Sequence, residues 1–366
     1  MKKLKIIFIS IFSLLIFLPL IFFNFKSNVV SEIDNRKLKE FPNLSNFSAD
    51  TFKDIYSYFD DRYGGRELAV NSYVEMNDKV FGELVHPVYT YGKDGHVFFF
   101  LADEKKYTDY HKDFLESISR MRDYVESQGG QFYLMINPEK KSVYKEYLPQ
   151  GFNYNRKWIE EFERGLDSKE IKYIDTTNLL REKSKTQDVY NKKYDAGHWN
   201  DWGAYHGLNG LLKMISKDFS TVREVDLSNF EVKNKVETSL KVSKFPINED
   251  TPDFVLKNPQ NYEDFSKQYK DLKLDKNYPT FSYTKNKLEQ AKPRALVYQG
   301  SYLNGREKFM KTSFSEYIAI HNYQNVFDMK EHYTKFKPDI VIFEVAEYTF
   351  AENYFSREKM KKFNKE

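Results

Sequence analysis

The alternation of apolar and polar positions divides the chain into a short apolar leader, a long mixed region and a charged end. The leader is an uncharged run from Ile6 to Phe23, preceded by Lys2, Lys3 and Lys5 and broken only by Ser10, Ser13 and Pro19. As a helix rising 1.5 Å per residue it would span about 27 Å, close to the hydrocarbon thickness of a bilayer. It ends in Leu20-Ile21-Phe22-Phe23-Asn24-Phe25, bulky residues where a signal peptidase needs small ones. The pattern therefore predicts an uncleaved transmembrane anchor at 6–23. The lysines make 1–5 a cytoplasmic tail and place the rest outside, as a single-pass cell-membrane protein with an extracytoplasmic C-terminal domain.

Residues 24–50 read as a polar stalk. An extracytoplasmic domain follows at 51–350. Helical spacing runs through Phe52, Ile55 and Phe59 and resumes at Val70, Tyr73, Val74, Asn77, Val80 and Phe81. Val88 to Tyr91 and Val97 to Leu101 flank Gly92-Lys93-Asp94-Gly95, a hairpin signal. Phe114, Leu115, Ile118, Met121 and Val125 form one helix face, closed by Gly129-Gly130. Strands are predicted at 131–136, 171–174, 295–298, 317–320 and 339–345. Helices are predicted around Trp158 to Leu166, Leu208 to Ile215 and between the last two strands. Strands alternating with helices argue for an α/β domain with a mostly parallel sheet flanked by helices. The irregular stretch 220–290 reads as an insertion without an assignable fold, and 351–366 as a charged C-terminal tail.

Composition narrows the chemistry. With 57 basic and 54 acidic residues the net charge is +3, too little to argue for nucleic acid. There is no Cys, which excludes disulfides, thiolate metal sites and a Cys nucleophile. The 28 Tyr, 32 Phe and 3 Trp reflect either a coding bias or sugar-stacking surface.

Reactive groups in a parallel α/β sheet collect beyond the carboxyl ends of the strands, and two loops fit that placement. In Tyr194-Asp195-Ala196-Gly197-His198-Trp199-Asn200, Gly197 permits a tight turn that would let the Asp195 carboxylate curl under the His198 ring. That carboxylate would fix the tautomer and leave the other ring nitrogen free to take a proton from a hydroxyl. The alternative is an ordinary loop before a helix, with Asp195 accepting backbone N–H groups and His198 packed beside Trp199. In Val297-Tyr298-Gln299-Gly300-Ser301-Tyr302-Leu303-Asn304-Gly305, Ser301 sits where a strand meets a helix, the logic of a nucleophile elbow. There the alternative is a plain N-cap. Asp195, His198, Asp201 and His206 form a weak metal pattern with no H-x-x-x-H pair behind it, so no metal site is assigned. His86, His96, His111, His321 and His332 are scattered and read as packing or surface residues.

With Asp195-Ala196-Gly197-His198-Trp199 and Gly300-Ser301-Tyr302 in view, the chain resembles the SGNH-hydrolase-like O-acetyltransferases of the alginate acetylation type, the AlgJ/AlgX-like and DHHW-related family. The likeness begins at Asn35-Arg36-Lys37-Leu38-Lys39-Glu40-Phe41-Pro42. It continues through Phe59-Asp60-Asp61-Arg62-Tyr63-Gly64-Gly65-Arg66 and Gly92-Lys93-Asp94-Gly95-His96-Val97-Phe98, then Pro138-Glu139-Lys140 to Tyr144 and Tyr147-Leu148-Pro149. It covers roughly 35–350, least well at 220–290. As in that family, the Asp/His pair precedes the Ser. There are two departures. The family's serine usually follows an Asp (G-D-S), whereas Gln299-Gly300 precede Ser301. The family's acid and base are commonly D-x-H-W, whereas this chain has the D-x-x-H spacing of the wider SGNH group.

The resemblance implies an SGNH-hydrolase-like (flavodoxin-like) fold with a circularly permuted order of catalytic motifs. It also implies an extracytoplasmic acyltransferase that acetylates a cell-surface or secreted polysaccharide through an acetyl-serine. Ser301 would be the nucleophile, His198 the base and acid, and Asp195 its orienting partner, with Asn304 an oxyanion donor. Trp199 and Tyr302 would offer stacking faces to sugar, and Lys140 would occupy a family position near substrate. No cofactor is implied. The partners would be the polysaccharide acceptor and a membrane-bound O-acyltransferase supplying acetyl groups. An extracellular carbohydrate esterase with the same triad and a non-catalytic polysaccharide-binding scaffold are the competing readings.

Overall fold

A central strand reading Ile-Val-Ile-Phe-Glu-Val-Ala is buried along its whole length, and the main sheet is built outward from it in a computed structural model. The structure describes residues 2–31, 36–86, 88–99, 101, 105–241 and 245–365. Asn35, Phe100, Met1 and Glu366, each part of a segment assigned above, lie outside the described residues. The chain divides into two compact units, residues 1–91 with 237–249 and residues 92–236 with 250–366.

In the first unit, α1 (Lys2–Ile21) has a mean hydropathy of 2.6 over Lys3–Ile21, long and apolar enough to cross a membrane. Two further helices, α2 (Ala49–Arg62) and α3 (Arg66–Phe81), occupy the predicted spans. Their apolar stripes do not all face inward: Phe52, Tyr56, Leu68 and Val80 are exposed. The expected stalk is instead tied to α2. Asp61 accepts two hydrogen bonds from the Arg36 guanidinium at 2.7 and 2.6 Å. The buried Arg62 donates to Lys39 O at 2.7 Å, Asn24 O at 3.1 Å and Glu40 at 2.9 Å. Two of the sequence motifs that carry the resemblance are thus one interaction.

The second unit holds a seven-stranded sheet of β1 (Gln131–Asn137), β2 (Tyr173–Asp175), β3 (Tyr262–Asp264), β4 (Phe281–Asn286), β5 (Arg294–Gln299), β6 (Glu316–His321) and β7 (Ile340–Ala346). Their order is β2-β1-β7-β5-β6-β4-β3. The pairs from β2 to β6 are parallel, and β4 and β3 close the edge antiparallel. The stretch 220–290, read from the sequence as an insertion without an assignable fold, supplies the two antiparallel strands at one edge of this sheet. It also forms a two-stranded sheet from Phe230–Ser239 and Pro246–Leu256, seated through Phe254 against Trp202 at 4.7 Å.

Strand side chains alternate between faces. Tyr133, Met135, Ala295, Val297, Ile340 and Ile342 share a cluster with α6 (Thr177–Ser184) and α7 (Asp201–Ile215). Phe132, Leu134, Leu296, Tyr298, Val341 and Phe343 share another with α4 (Asp109–Ser127) and α5 (Lys157–Ser168). Between β6 and β7 runs α8 (Met329–Phe336). Within the stretch read from the sequence as a charged C-terminal tail, α9 (Arg357–Phe363) buries Met360 and Phe363 in the second cluster.

Burial lowers His96 to about 3 and His111 to about 4, so both stay neutral in the fold. His111 Nδ1 accepts the Thr108 N–H at 3.1 Å, capping α4. Since the unfolded chain takes up these protons near pH 6.5, stability is full above that pH and is lost as pH falls toward 4, by about 3 kcal/mol per group. Thermal melts should therefore show a falling Tm between pH 6.5 and 4. His111→Gln, which keeps an acceptor for the cap, should flatten the slope; an unchanged slope would refute this assignment.

Candidate active site

The parallel strands end in loops that meet above β5. Past Gln299 the chain turns at Gly300 into a single 3-10 turn, Ser301–Leu303, with Ser301 half-buried at its start. The loop before α7 comes down beside it. Asp195 holds φ at +45°, left-handed backbone that few residues other than glycine adopt and that Asp tolerates best. The His198 N–H donates to Asp195 O at 3.1 Å, closing the turn. The tight conformation expected of Gly197 therefore belongs to Asp195, and Gly197 has no positive φ.

This turn carries the carboxylate under the imidazole, with Asp195 Oδ1 at 2.6 Å from His198 Nδ1. On the other side of the ring, His198 Nε2 lies 2.9 Å from Ser301 Oγ. A carboxylate only accepts, so Nδ1 carries the proton and Nε2 of the neutral ring accepts from the serine hydroxyl. Asp195 is buried, while the His198 side chain remains 20 % exposed and open to a substrate. The Ser301 N–H, at the head of the turn, donates to no acceptor among the described residues.

A family model described as SGNH hydrolase-like domain, acetyltransferase AlgX, matches residues 90–278. The chain belongs to this family. The match takes in Asp195 and His198, and Ser301 lies beyond its end, so the serine rests on the geometry. Several solved structures share the AlgX-type fold. PatB1 of Bacillus cereus with a sulfonyl adduct is 16% identical at a TM-score of 0.57, covering 73% of this chain and 96% of its own. The O-acetyltransferase domain of Pseudomonas putida AlgJ is 15% identical at 0.52, covering 76% and 99%. A DHHW family protein from Eubacterium siraeum is 16% identical at 0.50, covering 75% and 98%. No curated protein sequence matches the chain.

Several expected roles need correction. Trp199 and Tyr302 are fully buried and offer no face to a sugar. They brace the loops instead. Trp199 Nε1 donates to Tyr302 O at 2.8 Å, and the Tyr302 hydroxyl donates to Pro138 O at 2.6 Å and Gly197 O at 3.0 Å. Gly207 makes room for the indole, because a Cβ there would stand 2.4 Å from Trp199. Lys140 is buried too, its ammonium donating to Val97 O, Asn191 O and Lys192 O at 2.9, 2.7 and 2.8 Å. Those bonds pin loops rather than hold substrate. Asn304 is exposed, and its N–H donates to Ser301 O at 3.3 Å. Asp201 accepts from Lys308 at 2.5 Å and from the Phe254 N–H at 3.0 Å, and His206 Nε2 pairs with Gln187 at 2.8 Å. Among the described residues no group of His, Asp and Glu side chains is arranged to hold a metal ion.

Two residues that sequence reasoning passed over stand beside the serine. The Tyr348 hydroxyl is 2.7 Å from Ser301 Oγ. Burial raises its pKa well above the usual value, and with the single Ser301 proton directed at His198 Nε2 the tyrosine is the donor to the serine oxygen. Its turn is held by the buried Glu347, which accepts from Glu139 N, Ser142 Oγ, Tyr154 Oη and Arg156 Nε at 3.0, 2.7, 2.8 and 3.0 Å. Beneath the turn at 300 lies Glu344, fully buried, with Oε1 accepting from Asn137 at 2.8 Å and Oε2 from the Gly300 N–H. Burial pushes its carboxyl up to about 7 against the pull of those two donors. One signal pointed to it: an acidic residue inside an otherwise apolar strand.

An arylsulfonyl fluoride should label Ser301 alone, read by peptide mass spectrometry. Ser301→Ala should abolish labelling, and His198→Gln should slow it by about 100-fold or more. Labelling spread over other serines, or undiminished in His198→Gln, would contradict this geometry.

Proposed function

We propose that this protein is a membrane-anchored, extracytoplasmic O-acetyltransferase acting on the hydroxyls of a polysaccharide. The observation that carries the reading is the hydrogen-bonded chain Ser301 Oγ, His198, Asp195, set in an AlgX-type acetyltransferase fold. Ser301 Oγ attacks the acetyl carbonyl carbon of a donor while its proton passes to His198 Nε2. The imidazolium, held by Asp195, returns that proton to the leaving oxygen as the donor's C–O bond breaks. A sugar hydroxyl then attacks the acetyl-serine, losing its proton to the same nitrogen, which returns it to Ser301 Oγ. The Ser301 N–H serves the tetrahedral oxyanion, and a lost donor of this kind costs about 10²–10³ in rate.

Preference for a sugar over water calls for an acceptor held close to the acetyl-serine, where effective concentration outweighs bulk water. Acetyl groups made in the cytoplasm must cross the membrane to reach an outer site. A membrane-bound O-acyltransferase is the partner suited to deliver them, and α1 as an anchor keeps the domain beside it.

The full-length protein in detergent, given an activated acetyl ester and candidate oligosaccharides, should form acetylated sugar. Ser301→Ala should reduce that rate by about 10³-fold or more. Free acetate alone, at a rate no oligosaccharide changes, would overturn the transferase reading in favour of an esterase. Unchanged acetylation with Ser301→Ala would favour a scaffold.

A further inference from the structure

We propose that Glu344 is a positioning residue for the nucleophile, a carboxylate on the neighbouring strand that does the work of the acidic residue missing beside Ser301. The proposal rests on Ser301 being the nucleophile. G-D-S is the usual family pattern, and Gly300 here leaves that position without a side chain. The space is not empty. A Cβ built on Gly300 would stand 3.1 Å from Glu344 Oε2 and 3.1 Å from Asn322 Nδ2. The carboxylate of β7 therefore occupies the volume next to the turn, and the glycine is what admits it.

Every connection of Glu344 leads to the turn or to its supports. Oε2 accepts the Gly300 N–H, the last backbone donor before Ser301. Oε1 accepts from Asn137, at the end of β1. The Glu344 carbonyl accepts from Asn322 Nδ2 at 2.6 Å, and the Asn322 N–H donates to Gln299 O at 3.0 Å. Glu344 thus links the ends of β1, β5 and β7 through its carboxylate, and the first residue past β6 through its backbone carbonyl. Burying an acid among apolar strands costs stability unless both oxygens are satisfied, and here each meets a donor. In its ionised form both oxygens accept, whereas an amide in its place always turns one of its two atoms into a donor facing another donor. With the Gly300 N–H committed to Glu344, the oxyanion is left to donors from Ser301 onward. The turn is then fixed so that Ser301 Oγ meets His198 Nε2 rather than pointing into the core.

The test compares four variants of the full-length protein in detergent by acetyl-ester hydrolysis, with folding followed by circular dichroism. Ser301→Ala reports on the nucleophile itself. If it keeps the wild-type rate, the reading of Ser301 fails independently of Glu344. With that control inactive, Glu344→Gln should lower kcat by about 10–100-fold with KM little changed, as expected for a nucleophile displaced by a fraction of an ångström. Gly300→Asp, which puts two carboxylates in one buried space, should be inactive or unstable. Combining Gly300→Asp with Glu344→Ala should restore folded protein and rate well above Gly300→Asp alone. A folded Glu344→Gln with wild-type kcat overturns the proposal. So does a double variant that recovers the fold without the rate, or that fails to fold.

Discussion

The hydrogen bond between Ser301 and His198 joins residues 103 positions apart in the chain, and most of the second unit serves to make that distance short. β5 lies between two parallel neighbours, so its carboxyl end cannot shift along the sheet without breaking both ladders. The α7 helix, whose leading loop carries Asp195 and His198, buries Leu208, Leu211, Leu212 and Ile215 in the cluster that also holds Ala295 and Val297. The two loops are then cross-braced. Trp199 donates to Tyr302 O, Tyr302 to Gly197 O, and Arg306 Nη2 to Trp199 O at 2.8 Å. Positioning to a few tenths of an ångström comes from these bonds, with the sheet setting only the approximate placement.

Below Ser301 and His198 the apolar core gives way to a polar layer made by Asn137, Glu344, Glu347 and Asn322, all essentially inaccessible. Groups of this kind are costly when half satisfied and rigid when fully satisfied. Glu347 meets four donors, and Glu344 meets one at each carboxylate oxygen. The layer lies where four strands end, which is where the site needs backbone turns held without slack. Tyr348 and Gly300, the residues flanking the serine oxygen and the serine backbone, are each attached to it.

The parts of this design that could be read from the sequence follow from physical causes. Strands buried on both faces appear as continuous apolar runs, so 131–136, 295–298, 317–320 and 339–345 were legible. The antiparallel strands at 262–264 and 281–286 are partly exposed and carry no such run, so the stretch holding them looked like an insertion. In α9 only Met360 and Phe363 face inward among charged neighbours, too little apolar periodicity to mark a helix. The residues alone left Asp195, His198 and Ser301 open, and the family resemblance singled them out; the structure brings the three together, with the tight turn at Asp195 rather than at Gly197. Trp199 and Tyr302 were misjudged because an aromatic ring beside a reactive loop suggests a binding face. Their polar tips, buried against carbonyls, decide otherwise. Tyr348 reaches the site through tertiary packing alone, 47 residues beyond Ser301, and no local pattern announces it.

The central claim is that the Ser301 hydroxyl, activated by His198, becomes the carrier of the acyl group. It is tested most directly by mixing the full-length protein with an activated acetyl ester, quenching in acid within the first turnover and mapping the peptides by mass. The account predicts a single added acetyl group on the peptide containing Ser301, lost when an acceptor oligosaccharide is added before the quench. An acetyl group on another residue, or turnover without any acetylated peptide, would contradict it.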